Sequence, residues 1–250
     1  MKSLQELNSL ALRLRRALNE DTYSPIDIFG LINGWQEKNI TLIKYPFSSN
    51  ISGMCTKENS EIIICINSTM SYGRQRFTLA HELYHALYEE NFKHVICSMS
   101  MVDKSDSEKE ADMFASYLLL PYDSLLNYED DKEKWDSLNK IVEAEQFFQI
   151  SHQAMLFRLK FDKILSEETI EKYKKVRISE IASNLGYDLD LYKSSPEEKQ
   201  FYTTGEYVRK VDNLWKNDLI SEGKKNELLL DGFRSDIVYG MEVEGLNEYD

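Results

Sequence analysis

The sequence predicts an α+β fold: a small antiparallel or mixed sheet of about three strands packed on helices, with an all-helical C-terminal extension. Three observations carry that expectation. Segments rich in β-branched and aromatic residues cluster between residues 40 and 68. Apolar residues at helical spacing lie on both sides of that cluster. From about residue 165 onward the chain is charged, carries aromatics and contains no convincing strand. The expected division is residues 1–164 as a core domain and 165–250 as a helical extension or small second domain.

Leu4, Leu7, Leu14 and Leu18 form a helical stripe in the first twenty residues. "SPIDIFGLINGW" opens with Ser24 as N-cap and Pro25 at the first helical position, and ends near Gly34. "ITLIKYPF" reads as a strand, and "ISGMCTKENSEIIICINS" as a hairpin turning at Lys57-Glu58-Asn59-Ser60. Helices are expected over 72–90, 106–120 (stopped by Pro121), 133–147 and 151–163, the last capped by Ser151. Ser195-Pro196-Glu197-Glu198 has the form of a capping box, and Ser221 opens a further helix.

Composition narrows the function classes. The chain has 250 residues, enough to bury a sizeable core, and its net charge of −13 argues against a surface built for nucleic acid. Arg13, Arg15 and Arg16 read as the solvated face of the first helix. The N-terminal segment lacks an apolar h-region, and no apolar run is long enough to cross a bilayer. Cys55, Cys65 and Cys97 are odd in number and lack C-x-x-C spacing, which points to a reducing cytoplasm and to small buried side chains.

The chemistry is concentrated in "RFTLAHELYHALYEE", residues 76–90. His81 and His85 are four apart, so a helix places them on one face with about 5–6 Å between Cβ atoms. Two imidazoles at that spacing can reach one tetrahedral ion. Glu82, about 100° round the helix, stands beside such an ion as a base without being forced to bind it. The competing reading is an amphipathic helix packing Leu79, Leu83, Ala86 and Leu87, with the histidines sharing a face by coincidence. "EKEAD", residues 108–112, weighs against coincidence. Glu108 can supply a third ligand, and Asp112, four residues on, can accept the free N–H of a ligand histidine. Glu110 competes for the third place but points about 160° away from the Glu108–Asp112 face. Part of this acidic cluster also serves the dipole of the helix it opens.

"RFTLAHELYHALY" followed by "EKEADMFASYLLLP" resembles the ImmA/IrrE family of small gluzincin metallo-endopeptidases, and "FQISHQAMLFRLK" resembles that family's closing helices. The resemblance spans about residues 20–163. Asp112 stands where many members have Asn, and Leu120 where Met is common. The resemblance implies a zincin-like core, one Zn2+ per chain held by His81, His85 and Glu108, and Glu82 as the catalytic base. It further implies a bacterial or mobile-element protein acting on a helix-turn-helix repressor or an antitoxin. Candidates for an oxyanion donor are Tyr72, Tyr84 and Arg158, with Tyr117 and His152 also available; His152 and His94 read better as surface or cap residues.

Three functions stay open on the sequence: a zinc endopeptidase cleaving a regulatory protein, a metal-containing binding module acting through residues 165–250, and a toxin-antitoxin component. The substrate is expected to lie as a strand along the 52–67 hairpin.

Overall fold

The computed structural model describes residues 1–89, 94–98, 105–129, 135 and 137–240. In chain order the elements are α1 (Leu4–Ala17), α2 (Ile28–Gly34), β1 (Ile40–Tyr45), β2 (Ile51–Glu58), β3 (Glu61–Asn67), α3 (Tyr72–Tyr88) and β4 (His94–Ser98). Then follow α4 (Asp106–Leu119), α5 (Tyr122–Glu129), α6 (Leu138–Phe148), α7 (His152–Phe161), α8 (Glu167–Tyr173) and α9 (Ile178–Asn184). The C-terminal part adds β5 (Tyr202–Gly205), α10 (Glu206–Lys216), α11 (Glu222–Asp231) and α12 (Ser235–Tyr239). The fold is α+β, as expected. Among the described residues, no helix is long and apolar enough to cross a membrane.

The sheet is larger than the expected three strands: five strands run in the order β4-β2-β3-β1-β5. β2 and β3 are the predicted hairpin, with Asn59 at φ 54° in the turn. β1 pairs parallel to β3, and β4 and β5 pair antiparallel to β2 and β1. The two unforeseen strands are four and five residues long and lack an alternating pattern of their own. Pairing with a formed sheet edge makes them strands, and that is a tertiary effect. β5 also means that the C-terminal region is not wholly helical. The sheet therefore runs across the boundary expected at residues 164 and 165.

Gly205 allows β5 to turn into α10. Its φ is 83°, and a Cβ there would sit 2.4 Å from the carbonyl oxygen of Ile40. Gly205→Ala combines a conformation that L-residues avoid with a backbone clash. It is expected to destabilise the fold by more than about 2 kcal/mol, read by urea denaturation. An unchanged midpoint would mean that β5 contributes nothing to the sheet.

α3 lies against the sheet through Leu79, Leu83 and Ala86, which share a core with Ile62, Ile64, Ile66 and Cys55. α4 packs beside α3 and brings Ala111, Phe114, Ala115 and Leu118 into the same core. Fully buried Ala80, Ala111 and Ala115 keep side chains short where the helices meet. α1 covers α4 with Leu7, Ala11 and Leu14.

Three local expectations are corrected. Arg15 is not on a solvated face but fully buried. Its guanidinium donates to the carbonyls of Leu118, Asp21 and Ser24 at 2.8–3.0 Å, tying α1 to the end of α4 and to the 21–24 turn. Ser24 does not cap α2. That helix starts at Ile28 with Asp27 before it, while the Ser24 hydroxyl donates to Asp21 and its carbonyl is held by Arg15. The 195–198 segment makes only a 3-10 turn, Glu197–Lys199, because Ser195 is captured by Ser68 and Gln75. The Ser151 and Ser221 caps form as expected. Cys55 is buried and Cys65 half-buried, both with free thiols. The side chains of Cys97 and His94, and residues 90, 133, 134 and 136 of the expected helices, lie outside the described residues.

Candidate metal centre

α3 and α4 bring one residue each turn to a shared seam. His81, Glu82 and His85 are 5%, 0% and 1% exposed, so the motif is inside the protein rather than on a solvated helix face. His81 Nε2 and His85 Nε2 are 3.2 Å apart. From α4, the Glu108 carboxylate straddles them, with Oε2 3.4 Å from His81 Nε2 and Oε1 3.3 Å from His85 Nε2. A tetrahedron with metal–ligand bonds of about 2.0–2.1 Å has edges of roughly 3.3 Å. The His–His separation matches that edge, and Glu108 meets each imidazole through a different oxygen at a similar distance, so the three residues could hold a small cation. Among the described residues this is the one His/Cys/Asp/Glu group with such convergence.

The far ring nitrogens are held too. His81 Nδ1 lies 3.0 Å from Asp112 Oδ1, the orienting contact expected from the four-residue spacing of Glu108 and Asp112. His85 Nδ1 lies 2.5 Å from Glu89 Oε2. Sequence reasoning missed Glu89, although it stands four residues after His85 and the same spacing could have found it. With both rings fixed through Nδ1, their Nε2 atoms are left to face Glu108.

Electrostatics follow from this packing. Burial works against charge on His81, but its contacts with Asp112 and Glu108 prevail and hold the imidazole protonated up to about 9. Burial likewise opposes ionisation of Glu108, yet hydrogen bonds from His81 and His85 keep that carboxyl well below the usual carboxylate range. A cation entering the cluster must therefore displace a proton from His81. Metal affinity is expected to rise with pH between 6 and 8, by up to about tenfold per unit. Asp112→Ala and Glu89→Ala are each expected to weaken metal binding by about 10–100-fold in a competitive chelator titration. Affinity unchanged in both would remove these residues from the site.

Glu82 is placed by a close approach of the sheet. A Cβ built on Gly53 of β2 would meet Glu82 Oε1 at 3.0 Å, the Thr78 methyl at 2.6 Å and the Cys65 carbonyl oxygen at 2.9 Å. Only glycine leaves room there for the carboxylate to lie under β2. Gly53 also went unnoticed in the sequence, where nothing distinguishes it from a turn or bulge glycine.

The remaining candidates are drawn elsewhere. Glu110 accepts from the Tyr84 hydroxyl and from the Lys2 backbone N–H and ammonium, so it faces α1's entrance rather than the histidines. Tyr84, offered as an oxyanion donor, spends its hydroxyl on that contact. Arg158 is fully buried and donates to Asp162, Ser116 and the Leu120 carbonyl, pinning the end of α4 to α7. Tyr117 packs under that guanidinium. Tyr72 begins α3, nine residues and about 14 Å along the axis from His81, stacked on Phe29. His152 sits between Glu145 and the Tyr173 carbonyl, as an internal link between helices. Apart from the Tyr84 ring, which lies edge-on to His85 with centroids 5.9 Å apart, none of these is brought to the cluster.

No curated protein gives a match to this chain. Residues 36–160, half of the 250 residues, match the family described as Peptidase_M78, IrrE N-terminal-like domain. That span runs from just before β1 to the end of α7, and it contains His81, Glu82, His85, Glu108 and Asp112. α1 and β5 fall outside it, though both pack on the matched core. The match, the linked α3 and α4 motifs and the convergent His-His-Glu cluster lead to one family assignment: the chain belongs to the IrrE N-terminal-like domain family of peptidases.

Proposed function

We propose that this protein is a zinc-dependent endopeptidase that cleaves a regulatory protein in the cytoplasm. The observation that carries the reading is the convergence of His81, His85 and Glu108, the two Nε2 atoms 3.2 Å apart and each 3.3–3.4 Å from one of the two Glu108 oxygens. A His2Glu set leaves one of four positions open, the arrangement of a catalytic rather than a structural zinc site. When bound there, zinc supplies Lewis-acid polarisation of a carbonyl and lowers the pKa of water.

The chain's own residues account for the rest. His81, His85 and Glu108 hold the ion, and Asp112 and Glu89 fix the two rings. Glu82 takes a proton from the attacking water and returns it to the leaving amine, a single group moving one proton over a short path. Its burial under β2 excludes bulk water from that transfer.

The 52–67 hairpin was expected to seat the substrate strand. β2 is paired on both sides, by β3 and by β4, so the 52–67 hairpin offers no free edge. Among the described residues the open edge on this side is β4, whose Cys97 pairs with Gly53 directly above Glu82. The substrate class, a helix-turn-helix repressor or antitoxin, rests on the family resemblance.

The test is to incubate the zinc-loaded protein with a peptide library from a bacterial proteome and read new termini by mass spectrometry. Cleavage that disappears with a chelator and returns with zinc supports the reading. A library left intact in the presence of bound zinc would favour the metal-containing binding module instead.

A further inference from the structure

Away from the metal centre, a cavity of about 270 Å³ lies between the sheet, the start of α3 and the C-terminal region. Its wall includes Phe29 and Asn33 of α2, Lys44 of β1, Tyr72 of α3, and Lys199 and Tyr202 from the C-terminal region. Phe29 and Tyr72 stack with centroids 5.8 Å apart and planes at 20°, forming a flat apolar side. Asn33 Oδ1 is taken by the Thr204 hydroxyl, which leaves its amide N–H groups as donors.

Lys44 is the anomaly, and Lys199, which lines the same cavity, is exposed. Lys44 is half-buried, and among the described residues its ammonium meets the Ser195 hydroxyl at 3.5 Å and the Phe29 ring at 5.1 Å. Among the described residues no carboxylate pairs with Lys44 or with Lys199, in a chain that carries 43 acidic residues. A half-buried cation without a counter-ion is unfavourable, and a second cation facing the same space adds repulsion. Burial, reinforced by nearby Lys199, holds the Lys44 ammonium below its ordinary pKa. An anion relieves both costs at once, and the aromatic walls favour a flat, apolar body attached to it. At about 30 Å³ per water-sized unit the volume holds about nine non-hydrogen atoms, and up to roughly a dozen with the closer packing of a ring.

We propose that this cavity is a binding site for a small aromatic carboxylate, its acid group on Lys44 and Lys199 and its ring between the Phe29–Tyr72 pair and Tyr202. The site is closed by the 3-10 turn and β5, which lie beyond the family-matched segment. Binding therefore fastens the C-terminal region to the start of the helix that carries His81 and His85. The proposal does not rest on the metal centre.

Calorimetric titration of the full chain with indole-3-carboxylate, indole and acetate tests it. Indole-3-carboxylate is expected to bind one per chain, and indole and acetate each at least about tenfold more weakly. Lys44→Met is expected to weaken binding by at least about tenfold while leaving the ligand-free Tm equal to or above wild type, since a costly buried charge is removed. Lys44→Arg is expected to retain binding, and His85→Ala to bind as wild type does. Absence of binding by indole-3-carboxylate, benzoate and 4-hydroxybenzoate at about 1 mM would overturn the proposal. So would unchanged affinity in Lys44→Met, and inorganic phosphate binding as tightly as indole-3-carboxylate would overturn its aromatic part.

Discussion

Glu82→Gln is expected to lower peptide hydrolysis by at least about a hundredfold, and by up to about ten-thousandfold, with the metal content of the protein unchanged. The substitution keeps the volume and polarity of a side chain that is 0% exposed and wedged under Gly53, so the fold should tolerate it. What it removes is the capacity to take up a proton. His81, His85 and Glu108 are untouched, so a titration with a chromogenic zinc chelator should return the wild-type metal ratio. The size of the loss separates the roles open to Glu82. A loss of only a few-fold would mean that another group moves the proton. Loss of the metal together with activity would make Glu82 a part of the ligand set or of the core. If cleavage vanishes but the biological effect of the protein persists, partner binding rather than hydrolysis is its function.

The second large effect is expected at Glu108. Glu108→Ala removes the only one of the three donors supplied by α4 and leaves His81 and His85 as a pair. Two-ligand sites on a helix hold zinc weakly, and affinity is expected to fall by more than about a hundredfold, beyond the effect of losing a supporting contact. The same change should not unfold the protein. Glu108 lies in the first turn of α4 and is partly exposed, and the Ser105 cap bonds its backbone N–H, which Ala retains. Glu110→Ala is the control: it breaks the contacts to Lys2 and Tyr84 and should leave metal binding intact. Retained zinc in Glu108→Ala, with loss in Glu110→Ala, would reverse the assignment.

How far the sequence alone reaches depends on the range of the interaction that decides each feature. The motif helix, the hairpin and the Ser151 and Ser221 caps are decided by neighbours within four residues, and these match the structure. The convergence of Glu108 on His81 and His85 is long-range. It was legible because both partners stand on regular helices, where a four-residue spacing fixes the face. β4 and β5 were not legible, because four or five residues without a pattern become strands only when an edge is already present. Arg15 shows a different failure. A cation on an otherwise charged stretch reads as solvated, yet it lies four residues after Ala11 on the buried face of α1, and three backbone carbonyls replace water around it. Glu89 obeys the spacing rule that found Asp112. Gly53 and the Lys44 cavity depend on contacts between elements far apart in the chain, and no local pattern announces them. The oxyanion candidates were chosen by residue type, and in the fold the Tyr84 hydroxyl and the Arg158 guanidinium are held by Glu110 and Asp162, although the Tyr84 ring packs on His85.

The central claim is that His81, His85 and Glu108 together hold one catalytic metal ion. Anomalous diffraction from crystals of the zinc-loaded protein tests it most directly. The account predicts a single zinc peak per chain at about 2.0–2.1 Å from His81 Nε2, His85 Nε2 and a Glu108 oxygen, with the fourth position open to solvent or substrate. A peak elsewhere, or none at these three residues in zinc-saturated crystals, would contradict it.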